Sequence, residues 1–152
     1  MSYKNIGFTN IFVLLVTFLV SSCSTAPVRL SESIPISNQS TYLAYAKYSL
    51  PKKSGSKIII VRDSGLFGSA IPATLFINGE RVASLAVSES IVLHVNLEDN
   101  LIGVAPISQL SSESSSLNLI EHSLHVTPNK TYAYRITVGG ESGLILQRSS
   151  QL

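Results

Sequence analysis

The chain has 152 residues, 45% of them hydrophobic and 13% charged, with one cysteine and a net charge of +2. That size and mixture suit a single globular domain, and a lone cysteine excludes an internal disulfide. Basic residues occur singly or as the pair Lys52 and Lys53, which excludes the basic stripe interleaved with aromatics that a nucleic-acid groove needs.

The first segment carries the strongest signal. A free amine and Lys4 precede an apolar stretch over residues 6–20, densest from residue 11 to residue 20, and the small residues Ser21 and Ser22 follow it. A positive start, an apolar run of about 7–15 residues and small residues at the end are the parts of an export signal. A helix needs about 20 apolar residues to span a bilayer, so cleavage after Ser22 is expected rather than retention as an anchor. The residues Val20-Ser21-Ser22-Cys23 resemble the bacterial lipobox. That resemblance implies cleavage between Ser22 and Cys23 and acylation of Cys23 on its sulfur and its new amine. Several acyl chains hold a protein on a membrane firmly, since each buried methylene contributes about 0.8 kcal/mol. By the same resemblance, Ser24 in the place where inner-membrane lipoproteins often carry Asp implies the outer membrane, facing the periplasm.

Residues 24–40 are rich in serine, contain Pro27 and Pro35 and show no sustained period. Such a composition predicts a flexible tether. The expected organisation is a signal peptide over residues 1–22, a lipidated cysteine with its tether over 23–40, and a β-sandwich domain over 41–152. Setting aside Lys4 leaves the mature part with ten basic and nine acidic residues.

From residue 41 the hydrophobic period becomes two. Residues 42–50 are a first strand candidate. The apolar run of residues 57–61 suits a central strand covered on both faces. Residues 71–77 and 81–87 flank Asn78-Gly79, and such a pair between alternating runs predicts a two-residue hairpin because both positions accept positive φ. Ile91, Leu93, Val95 and Leu97 alternate with Val92, His94 and Asn96, and residues 117–126 and 143–148 add two more candidates. Tyr132, Tyr134, Ile136 and Val138 form one face of a strand whose other face carries Arg135, so the first set is expected in the core and Arg135 in solvent. Seven or eight short strands with turn residues between them, and no helical stripe after Val20, predict an all-β, antiparallel β-sandwich. The serine-rich residues 108–116 are expected to be a loop.

Within this domain, Lys57-Ile58-Ile59-Ile60-Val61-Arg62, Gly68-Ser69, the residues 76–82 with Leu85, and Thr131-Tyr132-Ala133-Tyr134-Arg135 resemble the bacterial lipoproteins with domain of unknown function 2846. The likeness covers roughly residues 55–148 and implies no catalytic residues.

Residue chemistry points away from catalysis. His122 and His125 are three apart, and on a strand odd spacing sends them to opposite faces, away from a shared metal ion. His122 shares a face with Ile120, Leu124 and Val126, which predicts a partly buried imidazole with a partner, while His94 is expected in solvent. Glu98-Asp99 reads as a turn. Gly139, Gly140 and Gly143 lack the lysine of a phosphate loop and read as a hairpin turn, and the serines lack a nucleophile motif. No metal or cofactor is expected. The reading is a non-catalytic, membrane-tethered module that contacts another envelope component through strand edges or loops, with no nucleic-acid partner. The alternative is an envelope enzyme whose site is assembled from distant residues.

Overall fold

A computed structural model describes residues 25–65, 71–107, 119–139, 143–150 and 152. The signal segment, the cleavage position at Ser22 and Cys23, and the expected loop 108–116 lie outside the described residues.

Nine strands, one α-helical turn and two 3-10 turns (Leu30–Glu32 and Asn38–Ser40) make up the described body, the strands and the α-helical turn in the order β1 (Ile34–Pro35), α1 (Tyr45–Tyr48), β2 (Ser56–Arg62), β3 (Ala73–Ile77), β4 (Glu80–Leu85), β5 (Glu89–Val95), β6 (Asp99–Pro106), β7 (Ile120–His125), β8 (Thr131–Thr137) and β9 (Ile145–Ser149). They form two sheets, β1-β5-β2-β8-β9 and β4-β3-β6-β7. The expected all-β sandwich is therefore the observed architecture. Pairing is mixed in one respect that strand counting does not reveal: β2 runs parallel to β8, and β1 parallel to β5.

Sequence patterning explains the packing. Ile58 and Ile60 of β2, Ile91, Leu93 and Val95 of β5, and Tyr132, Tyr134 and Ile136 of β8 turn inward together and meet Leu75, Ile77, Val82, Leu85 and Ile102 from the other sheet. Each isoleucine fully withdrawn from water contributes about 1.5–3 kcal/mol. Val138 lies beyond the end of β8, and Leu97 is exposed, so each stripe ends one residue pair earlier than its alternation. The β3–β4 hairpin turns at Asn78 and Gly79 with φ of 51° and 76°, the paired positive values that the residue pair predicts.

Five expectations fail, each for a physical reason. His94 is half-buried rather than in solvent, because Leu30, Ser33 and Tyr45 line the same cleft over the outer face of β5. Residues 42–50 do not form a strand. They contain α1, whose Tyr45 and Tyr48 stand three apart as on a helix; Tyr48 is buried, with its hydroxyl donating to Glu80 Oε2 at 3.0 Å. Residues 25–40 are no free tether, because their backbone finds partners along the sandwich. Ala26 bridges Ser64, Ile34 and Pro35 pair with Glu89 and Ser90, and Thr41 bridges Ala83. Arg135 is not in solvent, since the same N-terminal segment lies over it. His122 is exposed rather than partly buried, because β7 lies at the sheet edge and its burial begins only at Leu124.

The strands define two ends of the sandwich. At the end where β2 and β8 finish, Arg62 reaches between the sheets, only 1% exposed, and donates to the Leu85 carbonyl at 2.6 Å and the Ile71 carbonyl at 2.7 Å. Burial pushes its guanidinium pKa down from the ordinary value, partly opposed by Glu89. At the opposite end lie the Asn78-Gly79 turn, Glu98, Asp99 and the approach to β8 through Asn129 and Lys130. There the Asn78 amide donates to Asn100 at 3.1 Å, and Ser56 Oγ accepts from the Lys130 amide at 3.2 Å.

Candidate functional site

The N-terminal segment is the least expected part of the molecule. It starts beside the end of β8, where Thr25 Oγ1 lies 2.8 Å from Thr137 Oγ1. Ala26 and Ser64 exchange backbone hydrogen bonds of 2.8 and 3.1 Å. One residue pair further on, the Val28 amide donates to Asp63 Oδ1 at 3.1 Å, and Arg135 Nη2 donates to the Val28 carbonyl at 2.8 Å. Asp63 and Arg135 are themselves ion-paired through Oδ1 and Nη2, with Nε donating to Oδ2 at 3.2 Å. Their side chains are 6% and 15% exposed, so the pair acts largely out of water, where its interaction is weakly screened. Together the carboxylate and guanidinium fix both polar groups of one residue of the strap, which is how a segment with no hydrophobic period becomes ordered.

Beyond Val28 the strap crosses the outer face of the larger sheet, and two open clefts flank Leu30. One, of about 740 Å³, is lined by Ile59, Ala133, Thr131, Arg148, Ser149 and Leu152 among others. Arg148 lies over the Tyr132 ring at 5.2 Å from its centroid, a favourable cation–π arrangement. The Thr127 amide donates to the Tyr132 hydroxyl at 2.8 Å and holds its pKa below the ordinary phenol value. The second cleft, of about 380 Å³, lies between the strap, α1 and β5 and contains Ser33, Tyr45, Ser90, Val92 and His94. Ser33 Oγ donates to the Leu30 carbonyl at 2.7 Å and stands 2.8 Å from Ser90 Oγ. His94 is half-buried there, and burial, then Lys57 and Lys52, lower its pKa. Both causes favour the neutral imidazole, the form able to accept a hydrogen bond.

The other histidines do not converge. His125 Nδ1 lies 2.8 Å from Asp99 Oδ1 in an exposed pair, and His122 stands opposite Ile102 on the neighbouring strand. Among the described residues no group of three or more His, Cys, Asp or Glu side chains is placed to hold a metal ion. Glu98 lies in the expected turn, its amide donating to the Asn96 carbonyl at 2.9 Å. Strand edges offer less than the sequence suggests, because β1 covers part of β5 and Thr41 bridges β4. Sequence reasoning missed Asp63, Ser33, Ser90 and Tyr45. The spacing of Tyr45 and Tyr48 is the one local signal that could have pointed to this cleft. No family model, curated protein or solved structure matches the chain.

Proposed function

We propose that this chain is a lipid-anchored lipoprotein of the bacterial cell envelope whose β-sandwich serves as a non-catalytic binding or structural module for another envelope component. The observation that carries the reading is Val20-Ser21-Ser22-Cys23 at the end of an apolar run too short to span a bilayer. Acylated Cys23 is the anchor, and Ser24 favours the outer membrane, periplasmic side.

The test is metabolic labelling with palmitate. Wild-type protein should take up label and lose residues 1–22, and Cys23→Ala should take up none and accumulate as precursor or become soluble. Unlabelled, unprocessed wild-type protein would refute the reading. A second reading, an envelope enzyme, has one observation in its favour: the His94 imidazole, held neutral, shares a cleft with Tyr45 and the Ser33–Ser90 hydroxyl pair. A turnover lost in His94→Ala with the fold intact would establish it over the first.

A further inference from the structure

The geometry points to a membrane-facing end of the sandwich: the end where β2 and β8 finish, carrying Thr25, Ile71, Ile107 and Ile145, rests on the lipid surface. This inference rests on the lipoprotein reading and adds to it an orientation and a contact surface.

Two independent observations carry it. The first is the length of chain between anchor and domain. Thr25 is already fixed to Thr137, and Ala26 to Ser64. Only Ser24 separates Thr25 from Cys23, and two residue steps of extended chain reach at most about 7 Å. An acylated Cys23 therefore holds the ends of β2 and β8 within a headgroup layer's depth of the acyl chains, whatever conformation the connecting residues take. A tether of residues 24–40 would have left the domain free to point anywhere, whereas the seated strap does not.

The second observation is the character of that end. Ile71, Ile107 and Ile145 are 41%, 36% and 38% exposed. All three lie there. The Ile71 carbonyl accepts from Arg62, the Ile107 amide donates to the Pro72 carbonyl, and Ile145 pairs with Thr137. Three charged groups at this end are engaged by the protein, Arg62 with Leu85 and Ile71, Asp63 with Arg135, and Glu89 with the Ala86 amide, while Arg29 and Glu32 of the strap are exposed and 3.7 Å apart. At the opposite end Lys53, Lys130, Glu98 and Asp99 are exposed, and so are Leu50, Leu97 and Leu101. The anchor decides which apolar side chains can reach lipid: the isoleucines beside it can enter the interface, where shallow burial of apolar area adds to the hold of the acyl chains, and the leucines at the far end are out of its reach.

Site-specific depth measurement tests the orientation. With Cys23 blocked by acylation, a thiol introduced in Ile145→Cys, Ile107→Cys or Lys53→Cys can be labelled selectively with bimane in the full acylated chain. The proteins are reconstituted into phosphatidylcholine vesicles with brominated acyl chains. The two ends lie about 20 Å apart, from strands of roughly 3.3 Å per residue, so bromine quenching should be about threefold stronger at positions 145 and 107 than at 53. Two isoleucine positions guard against one substitution disturbing the fold. Equal quenching at all three, or stronger quenching at 53, with acylation and vesicle binding intact, overturns the orientation alone. Wild-type protein that is not acylated and does not bind vesicles overturns the lipoprotein reading and the orientation with it.

Discussion

Breaking the Asp63–Arg135 pair tests whether the N-terminal strap belongs to the cooperative fold. In Asp63→Ala the Val28 amide loses its 3.1 Å acceptor, and Arg135 loses the carboxylate that pairs with it. An exposed pair of this kind contributes about 0–1 kcal/mol, and breaking a fully buried one by removing one partner costs about 3–5 kcal/mol. Side-chain exposures of 6% and 15% place this pair nearer the buried limit. Arg135 keeps the Val28 carbonyl at 2.8 Å, which softens the loss. We therefore expect about 2–3 kcal/mol for Asp63→Ala, and a similar cost for Arg135→Ala, which strands a carboxylate instead. Asp63→Asn, which keeps an oxygen for Val28 but loses the charge, should cost less than either. The assay is urea unfolding of a soluble form beginning at Ser24. At a slope of about 2 kcal/mol per molar, the midpoint should fall by about 1–1.5 M. The double substitution should cost less than the two singles together, by about 1–2 kcal/mol of coupling. Single substitutions that each stay within about 0.5 kcal/mol and add independently, as surface changes do, would refute the argument and return Arg135 to solvent.

In the β8 core, Ile136→Ala should cost about 2–5 kcal/mol in the same assay, because Ile136 is fully buried between the sheets; a loss under about 0.5 kcal/mol, typical of the surface, would show that this face is not packed. His94, observed by NMR titration, should show a midpoint below the ordinary histidine value near 6.5, and Lys57→Ala should move it up. The unfolded chain takes up that proton more readily than the folded one, so stability should fall as pH drops below about 6.5, with the loss complete once pH is under the folded midpoint. A midpoint at or above 6.5 would contradict the burial of His94 in its cleft.

Local signals were legible and distant ones were not. The turn at Asn78-Gly79 is encoded by two adjacent residues, so its hairpin could be read directly, and the alternation from Tyr132 to Ile136 marked a core face without reference to any partner. The strap could not be read this way. Its order comes from backbone groups meeting Asp63, Arg135, Ser64 and Ser90, residues far away in the chain, and hydrogen bonds to the backbone leave no period in the segment that receives them. Arg135 was misplaced for the same reason: alternation tells which side of the strand it occupies, but not that another segment covers that side. The clefts beside Leu30 exist only because the strap crosses the sheet, so their lining was as illegible as the strap itself.

The parallel pairing at the middle of the larger sheet constrains when the molecule can form. Lys57 lies beside Thr131 and Ile58 beside Tyr132, so β2 gains one of its two neighbours only from a segment far along the chain. Joining strands so far apart in the chain means paying loop-closure entropy before any contact rewards it, which slows folding. The central hydrophobic strand therefore stays half-partnered until residues 131–137 are in place. The topology itself thereby holds back early compaction, and the larger sheet closes only when β8 joins β2.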